Sequence, residues 1–94
     1  MKKKEIIREI AKKTGLEVMQ TETVVESFMS TVKEELVNNK VIYLRGFGSF
    51  QLKKRASKKA RIIRKNIAIT IPAHFIPSFK PSKKFREMVK KRTK

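Results

Sequence analysis

The chain opens with two stretches of helical period. Ile6, Ile7, Ile10 and Ala11 recur at three- and four-residue spacing, with Glu5, Arg8, Glu9, Lys12 and Lys13 on the other side; this predicts a short amphipathic helix over residues 3–13. Gly15 can take the left-handed conformation that ends it. A longer helix is predicted over residues 18–38, where Thr21, Val24, Val25, Phe28, Met29, Val32, Leu36 and Val37 form a wide apolar stripe. Asn38-Asn39 is the expected stop, because Asn tolerates the left-handed region. The stripe is wider than the first helix can cover, so the second helix is expected to pack also on a sheet or a partner.

The period then becomes two. Val41-Ile42-Tyr43-Leu44 and Ser49-Phe50-Gln51-Leu52 read as strands joined by the turn Arg45-Gly46-Phe47-Gly48. Ile67, Ile69 and Ile71 alternate with Ala68 and Thr70 beyond a long basic run. Ile76 and Phe79, with Pro77 between them, fit an edge strand. Pro81-Ser82 opens a terminal helix bearing Phe85, Met88 and Val89. The order helix, helix, strand, strand, long hairpin, strand, helix makes the fold class α+β. One domain, 1–94, is expected, with a body of residues 1–52 and 76–94 and an arm of residues 53–75.

Charge divides the chain differently. The 94 residues carry 25 Lys and Arg against 8 acidic residues, a net charge of +17. Seven of the acids lie in the first 35 positions, where seven basic residues balance them. Residues 36–94 hold the other eighteen cations and one acid, Glu87. Such a segment repels itself unless a polyanion is present, which makes nucleic acid the leading partner. An ordinary solvated basic face would have Glu and Asp interspersed.

Other chemistries are poorly served. There is no Cys, and His74 is the lone His, so neither a thiolate nor a His-rich metal site can be built. Glu34 and Glu35 are adjacent and diverge around a helix, unlike a facing acid/base pair. Gly46-Phe47-Gly48 has no following Gly-Lys-Ser/Thr, so it is a turn rather than a phosphate loop. No nucleophile–base pair can be assembled. The expectation is a protein that is not an enzyme, with no metal, no cofactor and no small-molecule substrate. No apolar run is long enough to cross a bilayer, and a soluble cytoplasmic location is expected.

The basic run has the makings of a DNA-reading arm. Two strands of roughly nine residues would reach on the order of 30 Å, and Lys53, Lys54, Arg55, Lys58, Lys59, Arg61, Arg64 and Lys65 are strung along it. Cations at this spacing suit the narrow, electronegative minor groove. Ile62 and Ile63 are large apolar residues at the tip, with no core to enter. A wedge that unstacks a base step and kinks the duplex accounts for them, Ile63 above Ile62. Ile67, Ile69 and Ile71 are expected only to stabilise strand.

The segments Leu44-Arg45-Gly46-Phe47-Gly48-Ser49-Phe50, Lys53-Lys54-Arg55-Ala56 and Ile76-Pro77-Ser78-Phe79-Lys80-Pro81-Ser82-Lys83 closely resemble the bacterial HU/IHF family of DNA-bending proteins. The resemblance runs the whole chain. It implies an intertwined dimer with a helical base, an antiparallel sheet and a protruding β-hairpin arm from each subunit. It places Arg55, Lys58 and Arg61 where the family sets arm cations against the DNA, and Lys3 and Lys83 where the body holds flanking phosphates; Lys80 is a further expected DNA contact. Ile63 stands where most members have the proline of an Arg-Asn-Pro motif, here Arg61-Ile62-Ile63, and Asn66 replaces the usual tip glycine. The implied function is a nucleoid protein that binds duplex DNA with little sequence preference, bends it and compacts the chromosome.

Dimerisation also has an independent reason. Without its arm, the chain leaves roughly 70 residues to stabilise the whole, near the lower limit for one core. Phe28, Phe47, Phe50 and Phe79 are more aromatic surface than such a body hides, so they are expected at the dimer interface. A homodimer is the first expectation and a heterodimer the alternative. An IHF-like subunit reading DNA deformability, an RNA-binding structural protein and a basic membrane-surface protein are the competing functions, in that order.

Overall fold

Left-handed backbone at Gly15, Asn39 and Gly46 marks three points where the chain changes direction. In this computed structural model residues 1–62 and 67–92 are described, those at 60–62 by their backbone alone. They divide into two compact units, Met1–Glu35 and Leu36–Lys94.

The first unit holds helix α1 (Lys3–Thr14) and most of helix α2 (Val18–Val37). Gly15, at φ +77°, ends α1 and donates its N–H to the Ala11 carbonyl at 2.9 Å. This is the left-handed cap expected of that glycine. Ile7 and Ala11 bury the apolar side of α1, and Thr21 on α2 is buried with its hydroxyl donating to the Glu17 carbonyl at 2.9 Å. Asn39, at φ +59°, follows the end of α2 and donates to the Leu36 carbonyl.

The second unit is built on an antiparallel sheet of strands β1 (Ile42–Leu44), β2 (Gly48–Arg55) and β5 (His74–Pro81), in the order β1-β2-β5. The β1–β2 connection is a tight turn. Phe47 N–H reaches the Leu44 carbonyl at 2.9 Å, and Gly46 at φ +80° supplies the third-position geometry of a type II turn. β2 pairs with β5 from Gly48↔Pro81 to Arg55↔His74, so Phe50 faces Phe79 and Leu52 faces Pro77. Both strands are longer than expected. Lys53, Lys54 and Arg55 pair with Ile76, Phe75 and His74, so the first residues of the expected arm extend the body sheet. Pro77 sits on edge strand β5, where its missing N–H costs no ladder bond.

Beyond Arg55 the ladder stops and restarts. Strands β3 (Lys58–Ile62) and β4 (Ile67–Ile71) form a separate two-stranded ribbon, in register from Lys58↔Ile71 to Ile62↔Ile67. Ala56-Ser57 and Pro72-Ala73 lie in the gap, and Pro72 has no N–H to carry the ladder through. The long hairpin therefore has a break at its root, which an unbroken reading of residues 53–75 does not anticipate.

Helix α3 (Lys83–Arg92) closes the unit. Ser82 caps it, its hydroxyl accepting the Phe85 N–H at 3.1 Å, and the Ser82 N–H bonds the Phe47 carbonyl at 2.9 Å, tying the helix start to the β1–β2 turn. Gly48 is held equally closely. A Cβ there would lie 2.5 Å from the Lys80 carbonyl oxygen and 2.7 Å from the Phe79 ring. Because the nearest obstacle is backbone, Gly48→Ala is expected to destabilise by about 1–3 kcal/mol, read as a lower thermal midpoint. An unchanged midpoint would show that β2 and β5 do not approach this closely.

Candidate nucleic-acid interface

Alternation along the strands sorts the body sheet into two unlike faces. Residues in register share a face, so Ile42, Leu44, Phe50, Leu52, Phe75, Pro77 and Phe79 form an apolar side, joined by Lys54 at its end. The other side carries Tyr43, Ser49 and Lys80 across the three strands, then Gln51 with Ser78, Lys53 with Ile76, and Arg55 with His74. Lys53, Arg55 and Lys80 are exposed there, and among the described residues none of them is paired with a carboxylate. Lys53 and Arg55, expected in the arm, are thus brought onto one surface with Lys80. Lys54, strung with them in the sequence, is turned to the opposite one.

On the ribbon, Lys58 is opposite Ile71 and Lys59 opposite Thr70, so these two exposed cations lie on opposite faces. Ile67, Ile69 and Ile71 share the Lys58 face; Ile67 and Ile69 are exposed. These isoleucines, expected to stabilise strand, thus lie in β4 without a core over Ile67 and Ile69. Arg61 and Ile62 belong to β3. Ile63, Arg64 and Lys65, the expected wedge and tip cations, lie outside the described residues.

At the start of α3, Lys83 and Arg86 meet Lys80, Arg45 and Tyr43 around an open cleft of about 340 Å³. Sequence reading selected Lys80 and Lys83 but missed Arg45, Arg86 and the 80% exposed Tyr43. Tyr43 could have been found from strand alternation, which puts it one position from Ile42 and Leu44 and so on the face opposite to theirs. Arg45 and Arg86 needed the turn and the helix start to be placed together.

Lys3 is differently situated. Its ammonium forms an ion pair with Glu26 of α2, linking the two helices of the first unit. That hydrogen bond, with the Glu26 and Glu22 charges, raises the Lys3 pKa above the ordinary lysine value. The charged pair is therefore complete through neutral pH and is lost only as pH rises through that raised value. A phosphate reaching Lys3 competes with Glu26.

The expected interface aromatics also find places. Phe47 lies 5.0 Å from Phe79 and 5.6 Å from Phe85 between ring centroids, and Phe50 lies 4.9 Å from Phe79. Phe85, read only as a helix residue, is thus part of the same cluster. Two of its members stay partly uncovered: Phe47 is 45% and Phe79 37% exposed. Phe28, in the first unit, is exposed on α2 beside Val24, one turn away.

Comparison with known proteins agrees with this geometry. The family model described as bacterial DNA-binding protein matches residues 1–90. The chain is 36% identical to DNA-binding protein HU of Thermotoga maritima over 90 residues, covering 96% of this chain and 100% of that protein. It is 40% identical to the integration host factor subunit beta of Marinobacter nauticus, covering 95% and 92%. Among solved structures, the Anabaena HU–DNA cocrystal structure superposes with a TM-score of 0.91 at 31% identity, covering 95% of this chain and 97% of that one. The chain belongs to the bacterial DNA-binding protein family, that of the HU and IHF proteins.

Proposed function

We infer that the chain is an architectural DNA-binding protein that acts as a dimer, grips duplex DNA through the minor groove with little sequence preference, and bends it. The observation that carries this is the carboxylate-free polar face of the sheet, with Lys53, Arg55 and Lys80 exposed on it and the basic ribbon following from Arg55. The likeness to the Anabaena HU of a DNA cocrystal supports it. Residues 1–52 and 76–94 serve as the dimer body and 53–75 as the arm, whose root, Lys53, Lys54 and Arg55 with His74 and Phe75, continues the body sheet. Lys3, Lys80 and Lys83 hold flanking phosphates; Lys53, Arg55, Lys58, Lys59, Arg61, Arg64 and Lys65 hold the duplex nearer the kink. Helix N-termini such as that of α3 suit a phosphate because their free amides point at it. Phe28, Phe47, Phe50 and Phe79 are covered by the partner. The role is mechanical rather than enzymatic, and its place is the cytoplasm, on the nucleoid. Among the described residues no helix is long and apolar enough to cross a membrane.

Ile63 and, less, Ile62 act as the wedge. Inserting an apolar side chain between base pairs trades stacking for a bend that brings more DNA onto the protein. Ile63→Ala is accordingly expected to reduce bending, measured by end-to-end energy transfer on a labelled duplex, more than it reduces affinity. A bend identical to that of the unsubstituted protein would remove the wedge. The 40% identity to an integration host factor beta subunit favours a second reading, a heterodimer with site preference through deformability. The purified chain sedimenting as a dimer by itself supports the homodimer; a monomer that dimerises only with a different family member supports the second reading.

A further inference from the structure

His74 sits where the body sheet meets the arm. It opens β5 and stands opposite Arg55, the last residue of β2, on the polar face. Beyond this pair the ladder breaks, and the break leaves a cleft of about 770 Å³ lined by Arg55, Lys58, Ile71, His74 and Ile76, with Ala56 and Ser57 at the gap. The cleft is cationic from two sides, Arg55 on β2 and Lys58 on β3, and no carboxylate lines it. His74 is exposed, and its Nδ1 lies 2.9 Å from the Pro72 carbonyl oxygen. A carbonyl only accepts, so Nδ1 carries the proton. Nε2 is then the nitrogen free to take a second one.

We propose that this cleft is a backbone-phosphate site at the root of each arm, in which Arg55, Lys58 and a doubly protonated His74 hold one phosphodiester, so that DNA binding takes up a proton. The inference rests on the DNA-binding reading above and adds a site and a linkage to it. A phosphodiester seated in the cleft is ionised across the neutral range and attracts a positive charge on the imidazole together with those of Arg55 and Lys58. Linkage then requires affinity to rise as pH falls. The break at Pro72 suits the task, since it opens room for a phosphate that a continuous ladder would close.

The test is the dissociation constant for a duplex at fixed salt, by fluorescence anisotropy, at about pH 8 and about pH 6, where imidazole changes charge. The unsubstituted protein is expected to bind roughly three- to tenfold more tightly at the lower pH, as one pKa unit of coupling is tenfold. His74→Gln keeps an N–H donor for the Pro72 carbonyl and should lose that gain. His74→Lys should bind at the higher pH at least as tightly as the unsubstituted protein does at the lower, with little pH dependence. Both substitutions fall at an exposed position, and thermal unfolding checks that the fold is kept. The amino terminus and the carboxylates are common to all three proteins, so their titration cancels in the comparison. Equal gains for the unsubstituted protein and the Gln variant, or a Lys variant that binds more weakly at both pH values, would overturn the site while leaving DNA binding in place. Absence of duplex binding by the unsubstituted protein at either pH would instead overturn the reading beneath it.

Discussion

Raising salt from about 50 to 200 mM is expected to weaken duplex binding by about 10³–10⁵-fold, the loss that follows when roughly 6–10 phosphates are neutralised by protein cations. Each such contact releases condensed counterions, and the free energy of that release shrinks as bulk salt rises. The slope of log affinity against log salt therefore counts contacts. Arg55→Ala with Arg61→Ala should lower that slope by about one for each cation lost from a contact, together with affinity. Lys54→Ala removes the same charge from a neighbouring position, but Lys54 shares the apolar face with Phe75, whereas Arg55 shares the polar face with His74. Its slope should stay near that of the unsubstituted protein. If Lys54→Ala lowers the slope as much as Arg55→Ala does, general charge rather than a defined face drives binding, and the assignment of the polar face fails.

That contrast could not be drawn from the sequence alone. Alternation in Ser49-Phe50-Gln51-Leu52 was enough to see a strand, but which cations share a face depends on how far the strand continues through Lys53-Lys54-Arg55, a basic run with no apolar alternation of its own. The partner strand decides it: Phe50↔Phe79 fixes the register, and the pairing then carries on to Arg55↔His74. Local signals were read well where the residue itself imposes the conformation. Gly15 and Asn39 end helices, and Gly46 turns the first hairpin. Pro72 was equally visible, yet its effect on the ladder depends on which N–H the pairing would have required. The Lys3–Glu26 pair joins residues on different helices and has no local sequence signal. For the aromatic residues, composition gave the excess, and the structure supplied the grouping by bringing Phe47, Phe50, Phe79 and Phe85 from a turn, two strands and a helix.

Phe79→Ala should have its largest effect on assembly. The ring is packed between Phe47 and Phe50, at 5.0 and 4.9 Å, yet is still 37% exposed in the single chain. Among the described residues, Ile7, Ala11 and Leu36 are the buried hydrophobic residues, too little apolar burial to stabilise a chain of this size unaided. Removing a buried Phe ring costs about 3–5 kcal/mol. If the partner subunit completes the burial of Phe79, much of that cost falls on association, weakening the dimer by roughly 10²–10³-fold. Sedimentation across a concentration series reads this directly, with circular dichroism to follow the helices. Tyr43→Ala is the control, since that ring is 80% exposed on the polar face and its removal should leave the dimer intact. The opposite pattern, an intact dimer in Phe79→Ala with duplex binding lost, would assign the aromatic face to DNA stacking. Dimer loss should also flatten the salt dependence, because a separated chain brings one arm to the duplex and neutralises fewer phosphates. On that outcome assembly and electrostatics are tied: an aromatic residue bearing no charge governs how many charges reach the DNA together.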